Sequence, residues 1–387
     1  MNDILRFIAE TTGGTYYKSF RYSFEGVEVP TVVYDDNRII IMSPDKIGET
    51  DKTIRASKSV ENLANNIMRG GKPPLFKFFL DGTRRTYKID DISYGERIYP
   101  IIAGQILVGC CKRSQPDMFK SSLLETQIVL VLPDCADKDD KKTLFFNSLA
   151  DKINNLSVIK KRGVSFQKVL SYPDKELKEG EKYENKGIAR IQDEMVEAEK
   201  RMVVQLVKEK KLNNRSYLIK DGSIEYKKMG SDDYRDLSAI KSNYRCVVGV
   251  SKEFNPELFK DKRHKTLAKR IAELPLFHRT QAFKYTNERA PGVEFCIWYL
   301  RIRSTERTVG LFDGVIKVEK ILVSDEEQEK GLDSDEIDLI SANLVNERNP
   351  TCYGLDTRWA NHLYPVYLTE KYIKSNYISE IQFLNLF

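Results

Sequence analysis

The chain has 387 residues, of which 41% are hydrophobic and 31% charged, with a formal net charge of +6. That balance excludes a disordered or fibrous chain and allows a sizeable core, and the modest positive charge permits a polyanionic partner without demanding one. Six cysteines with no C-x-x-C pair and only three histidines speak against a disulfide framework or a zinc site.

No run approaches the roughly 18 apolar residues that a membrane-spanning helix needs. The first residues, Met1 to Phe7, lack the basic, apolar and small-residue order of a secretory signal. No membrane association and a cytoplasmic location are therefore expected.

Residues 15 to 45 alternate aromatic or β-branched residues with polar ones (Tyr16, Phe20, Tyr22, Phe24, Val27, Val29, Val33), then reach Ile39 to Met42 after Asp35-Asp-Asn37. The pattern predicts a small antiparallel unit turning at 35 to 37. Residues 52 to 69 carry helical spacing and stop at Gly70-Gly71. Leu75 to Leu80 is apolar except for Lys77, the pattern of a strand buried on both faces. It ends in Asp81-Gly82, which taken alone is the commonest hairpin turn. Strands are further expected at 84 to 90, 98 to 111 and 127 to 132, as an antiparallel meander. Helical patterns occupy 144 to 159, and 171 to 186 reads as a polar connection broken by Pro173 and Gly180.

A long amphipathic helix is expected from 187 to 211, with Ile191, Met195, Ala198, Met202, Val203 and Leu206 as its apolar stripe. Glu199 lies four residues after Met195 and three before Met202, so it falls on the stripe, while Glu194 and Glu197 sit at its margins. A helix-edge glutamate paired with a lysine is the alternative reading of the same spacing. The strand Ser216 to Lys220 again ends in an acid and a glycine, Asp221-Gly222, followed by Ser223. Asp313-Gly314 is read as an ordinary hairpin turn. An interior strand is expected at 244 to 250, a basic helix at 257 to 273, strands at 294 to 303 and 308 to 323, an acidic surface segment at 325 to 338, and a final helix before the apolar end Ile381 to Phe387. An apolar terminus of that kind packs on the body or on a partner.

Two strand-end aspartates and a helix-stripe glutamate would repel one another unless cations neutralised them. Magnesium and manganese prefer such hard oxygen ligands. A pair of these ions ~3.5–4 Å apart clamps the attacking and leaving oxygens of a phosphodiester. Asp81, Glu199 and Asp221 are the candidate metal ligands. His362 is a candidate metal ligand or proton carrier, or else a histidine bonded to backbone at a helix start.

The order of these motifs resembles the NurA nucleases. It runs from a buried strand ending in Asp-Gly-Thr, through a strand meander and a long helix with an acid, to a strand ending in Asp-Gly-Ser and then Val247-Val-Gly-Val-Ser-Lys252. The tail segments Glu347-Arg-Asn-Pro350, Arg358-Trp359 and His362-Leu-Tyr-Pro-Val-Tyr-Leu368 are similar too. The resemblance spans roughly residues 70 to 387. It implies an α/β fold with an RNase H-like, PIWI-related core, a mixed central sheet flanked by helices and an N-terminal β-rich extension. In domain terms, residues 1–70 would be the N-terminal segment and 71–387 the nuclease domain.

The activity it implies is a Mn2+- or Mg2+-dependent deoxyribonuclease, acting as a homodimer with a HerA-type hexameric ATPase in DNA-end processing or antiphage defence. By the same resemblance, Asp81, Glu199, Asp221 and His362 are expected to be catalytic, with Glu194 or Glu197 as alternatives to Glu199, and Asp356 to His362. Arg84, Arg85 and Lys252 are expected to contact DNA phosphates. A non-catalytic nucleic-acid-binding or motor-regulating subunit of the same fold is the competing expectation.

Overall fold

The computed structural model describes residues 3–17, 22–23, 47–54, 56–115, 118–138, 142–224, 234–256, 267–286, 292–308, 310–348 and 357–387. In chain order these form α1 (Asp3–Thr12), β1 (Thr15–Tyr17), β2 (Tyr22–Ser23), β3 (Ser57–Ser59), α2 (Glu61–Arg69), β4 (Phe76–Tyr94), β5 (Arg97–Gln115), β6 (Met118–Pro133), α3 (Lys142–Asn154), α4 (Ser157–Arg162), β7 (Lys168–Tyr172) and α5 (Tyr183–Lys208). Then follow β8 (Tyr217–Asp221), α6 (Tyr234–Asn243), β9 (Val247–Ser251), α7 (Ala268–Ala272), β10 (His278–Thr280), β11 (Phe283–Thr286), β12 (Glu294–Arg301), β13 (Val315–Ile321), α8 (Asp325–Lys330), α9 (Ser334–Asn346), α10 (Tyr364–Lys374) and α11 (Glu380–Leu384).

The strands make one mixed sheet, ordered β3-β10-β12-β13-β9-β8-β4-β5-β6-β7, with β1 and β2 on β4 and β11 on β12. Its centre is the antiparallel meander β4-β5-β6, continued on the other side of β4 by β8 and β9, which run parallel to β4 and to each other. Helices cover both faces. The expectation of a mixed α/β sheet flanked by helices therefore holds.

The long strands correct one local expectation. Asp81-Gly82 is not a hairpin turn, because β4 runs unbroken through it, with Asp81 opposite Gly109 and Gly82 opposite Val108 on β5. The chain turns only after Tyr94, where Gly95 takes φ 59°. Of the strand expected over 308 to 323, the described residues form β13 alone, which pairs with β12 along its whole length. The expected unit over 15 to 45 is described only at β1 and β2, and its turn at 35 to 37 lies outside the described residues, as does 257–266 of the basic helix.

Strand alternation separates two apolar clusters. Phe78, Leu80, Leu218 and Val247 pack with the stripe of α5 (Ile191, Met195, Ala198, Met202). Their neighbours Phe79, Ile219 and Val248 pack with Ile337, Ile340 and Leu344 of α9 and Val366 of α10. Glycines let both layers close: a Cβ on Gly104 would meet Ile191 of α5 at 2.8 Å, and one on Gly109 would meet Ile373 of α10 at 2.7 Å. The apolar C-terminus is buried in its own chain, with Phe383 stacked on Tyr87 at 4.5 Å and Phe387 edge-on to Phe166 at 5.8 Å. Of the apolar residues in that segment only Ile381 is strongly exposed. Among the described residues no helix is long and apolar enough to cross a membrane.

Candidate metal centre

In the parallel pair β4 and β8, Leu80 aligns with Lys220, so Asp81 and Asp221 follow side by side one step further on. Asp221 is also the last residue of β8, aligned with Val250 of β9. Gly222, at φ 79°, then turns the chain away and donates its N–H to the Val250 carbonyl at 2.8 Å. β8 stops there while β4 continues, so the two carboxylates sit where the sheet opens beside β4.

The third carboxylate comes from α10. Ile373 seats on Gly109, the residue opposite Asp81, and Glu370 lies one turn earlier on that helix. One oxygen from each of Asp81, Asp221 and Glu370 falls within 4.8 Å of the others. Asp81 is buried, and Asp221 and Glu370 are half-buried. The Asp81 Oδ1 accepts a hydrogen bond from the Gly82 N–H at 2.8 Å.

Burial, with Asp221 next to it, pushes the Asp81 carboxyl well above the usual carboxylate range, and Lys252 only partly offsets this. For Glu370, burial acts in the same direction but is outweighed by Lys252, Lys374 and His362, which hold its carboxyl below the ordinary value. The Lys252 Nζ lies 2.9 Å from Asp221 Oδ2 and 3.5 Å from Glu370 Oε2. Its own burial disfavours the charge, but Asp221 and Glu370 outweigh that and raise its pKa above the ordinary lysine value.

Glu199 is elsewhere. Gly82 faces α5, and a Cβ there would lie 2.6 Å from Glu199 Oε1. Asp81, one residue away, points to the opposite face. Glu199 instead pairs with Lys220 at 3.1 Å, both almost fully buried. Burial raises the Glu199 carboxyl, with Lys220 opposing. Glu194 pairs with Lys168 and Arg201, and Glu197 with Lys200. All three candidate acids of α5 are thus held by cations, and the sheet stands between Glu199 and the cluster.

This rear face also braces the Asp221 turn. Lys220 donates to the Ser223 carbonyl at 3.0 Å, and Glu319 of β13 accepts from Ser223 Oγ at 2.7 Å and from the Ile224 N–H at 3.0 Å. The turn folds over Gly249, where a Cβ would meet Ile224 Cγ2 at 3.0 Å and the Gly222 carbonyl at 3.2 Å. The glycine in Val247-Val-Gly-Val is there for that close approach.

The other expected residues divide by the same parity. Arg84 reaches back to Gln192 of α5 at 2.7 Å, whereas Arg85 lies on the cluster's face, its guanidinium 4.4 Å from the Tyr377 ring centre. Thr83 is on that face too, accepting from the Tyr377 hydroxyl at 2.9 Å. His362 is buried, tilted against Tyr367 at 5.8 Å and close enough to Glu370 to lower its pKa, but it is not one of the three clustered ligands. Asp356 lies outside the described residues. Glu347, in the Glu-Arg-Asn-Pro segment, pairs with the buried Arg113, which is sandwiched between Phe79 and Phe119.

An all-carboxylate set this close suits a hard divalent ion, and an ammonium already lies between two of the three ligands. The residues present therefore fit Mg2+ or Mn2+. No family model matches this chain, and no curated protein matches it.

Proposed function

We propose that this chain is a Mn2+- or Mg2+-dependent DNA nuclease of the NurA type, with Asp81, Asp221 and Glu370 as the metal-holding carboxylates. The observation that carries the reading is the convergence of those three on one face of the sheet, two from adjacent parallel strands and one from a helix seated on Gly109. The RNase H-like reading is supported by the strand order β6-β5-β4-β8-β9, an antiparallel meander continued by two parallel strands.

Such an ion, when bound, activates water and stabilises charge on a phosphodiester in displacement. The chain's own residues do the remainder. Burial keeps the carboxylates rigid, and the rear brace fixes the Asp221 turn. Arg85 on the cluster's face, together with Lys374 of α10, which pairs with Glu370 at 2.6 Å, offers positive charge to a phosphate backbone. His362, close to Glu370, is the candidate proton carrier. The homodimer and a HerA-type hexameric ATPase as partner belong to the same proposal and rest on the resemblance.

The test is cleavage of end-labelled linear, circular and single-stranded DNA across a metal panel. Wild type is expected to cut with Mn2+. Asp81→Ala, Asp221→Ala and Glu370→Ala are each expected to lose cleavage while keeping the wild-type circular dichroism. Full cleavage by all three variants would overturn the site. One observation favours a second reading, a non-catalytic DNA-binding relative: Lys252 already neutralises part of the cluster. Salt-dependent DNA binding with no cleavage in any metal would select it.

A further inference from the structure

Three carboxylates within 4.8 Å repel one another unless a cation or a proton neutralises part of their charge. Lys252 supplies the buried cation, while the more exposed Lys374 pairs with Glu370 Oε1 alone at 2.6 Å. Its ammonium bridges Asp221 and Glu370, which come from different layers of the fold. Its backbone is held as well: Asn361 Nδ2 donates to the Lys252 carbonyl at 2.7 Å, while Asn361 Oδ1 accepts the Gly314 N–H at 2.5 Å. Asn361 is itself buried, so the strand end that carries Lys252 is tied to the β12–β13 turn and to the segment leading into α10. The ammonium is thus built into the cluster, in contrast to a long surface side chain that wanders in and out of an ion pair.

Resting on the metal-site reading, we infer that Lys252 is the resident counterion of the carboxylate cluster, and that a divalent ion binds by displacing its ammonium from Asp221 and Glu370. The oxygens facing Lys252 belong to two of the three ligands a metal would use, so ammonium and metal compete for the same lone pairs. Lys252 then has two opposing effects. It stabilises the metal-free fold by relieving carboxylate repulsion, and it weakens metal binding by the free energy of breaking its own two contacts. Metal-free stability and metal affinity are therefore coupled with opposite sign through one side chain.

The experiment follows Mn2+ binding by isothermal titration and thermal melting on the full chain, after chelation, for wild type, Lys252→Met and Lys252→Arg. Lys252→Met is expected to melt lower than wild type without metal, yet to bind Mn2+ more tightly, by roughly 5- to 150-fold, the usual span of such a coupling. Lys252→Arg keeps a cation and is expected to stay closer to wild type in both measurements. A Lys252→Met chain that folds only when Mn2+ is supplied supports the inference, and one that stays unfolded in Mn2+ overturns it. Equal or weaker Mn2+ binding by folded Lys252→Met overturns it too, while leaving the metal site standing. A wild-type chain that binds no Mn2+ at all removes both.

Discussion

Glu199 and Glu370 occupy equivalent places on two helix stripes but opposite faces of one sheet, and substitution separates their roles. The Glu199 and Lys220 side chains are 3% and 8% exposed, with 3.1 Å between Oε2 and Nζ. Glu199→Ala deletes one partner of a buried pair, which costs about 3–5 kcal/mol. An unfolding entropy of about 2.1 cal/mol/K per residue gives about 0.8 kcal/mol/K for 387 residues. The expected fall in melting temperature of chelated protein is therefore about 4–6 °C. The sheet lies between Glu199 and the cluster, so the rise in melting temperature on adding Mn2+ should match that of wild type. Glu370→Ala should do the reverse, with a smaller loss in chelator and no Mn2+-induced rise. Differential scanning fluorimetry in EDTA and then in Mn2+ reads both quantities. A Glu199→Ala protein that keeps its metal-free melting temperature but loses the Mn2+ response would refute this placement and restore Glu199 as a ligand.

Two further outcomes follow from burial. The Asp81 carboxyl is raised above the ordinary aspartate value of 3.8, so between 3.8 and its folded-state pKa the folded chain keeps a proton that the unfolded chain has lost. Stability therefore falls as pH rises through that window, and Asp81→Asn, which cannot ionise, escapes the loss. In chelator, Asp81→Asn should melt above wild type at neutral pH, with the gain shrinking towards pH 4; a constant difference at every pH would rule this out. In the C-terminal segment, Phe383 is fully buried and stacked on Tyr87. Truncating such a ring costs about 3–5 kcal/mol, so Phe383→Ala should lower the melting temperature on the same scale as Glu199→Ala, and an unchanged melt would show that the tail is not part of the protomer's core.

Asp81 and Asp221 are legible because each follows an apolar run that patterns as a strand, and strand patterning is local. The hairpin turn that Asp81-Gly82 suggests when taken alone is absent for a matching reason. Asp-Gly is a local turn signal, while the reason for Gly82 is a distant helix glutamate that would meet any Cβ placed there. Glu370 shows where spacing stops being informative. It lies four residues after Val366 and three before Ile373, the same offsets that place Glu199 between Met195 and Met202, so stripe position marks both acids equally.

What separates them is which helix covers which face of the sheet, and that is set by crossovers far away in the chain. One clue was nevertheless present. Lys220 precedes Asp221 in a buried strand, so the two side chains must point to opposite faces. A lysine buried behind the strand requires an acid on its own side. Glu199 answers that requirement, which leaves the aspartates in front to recruit their third carboxylate from another helix.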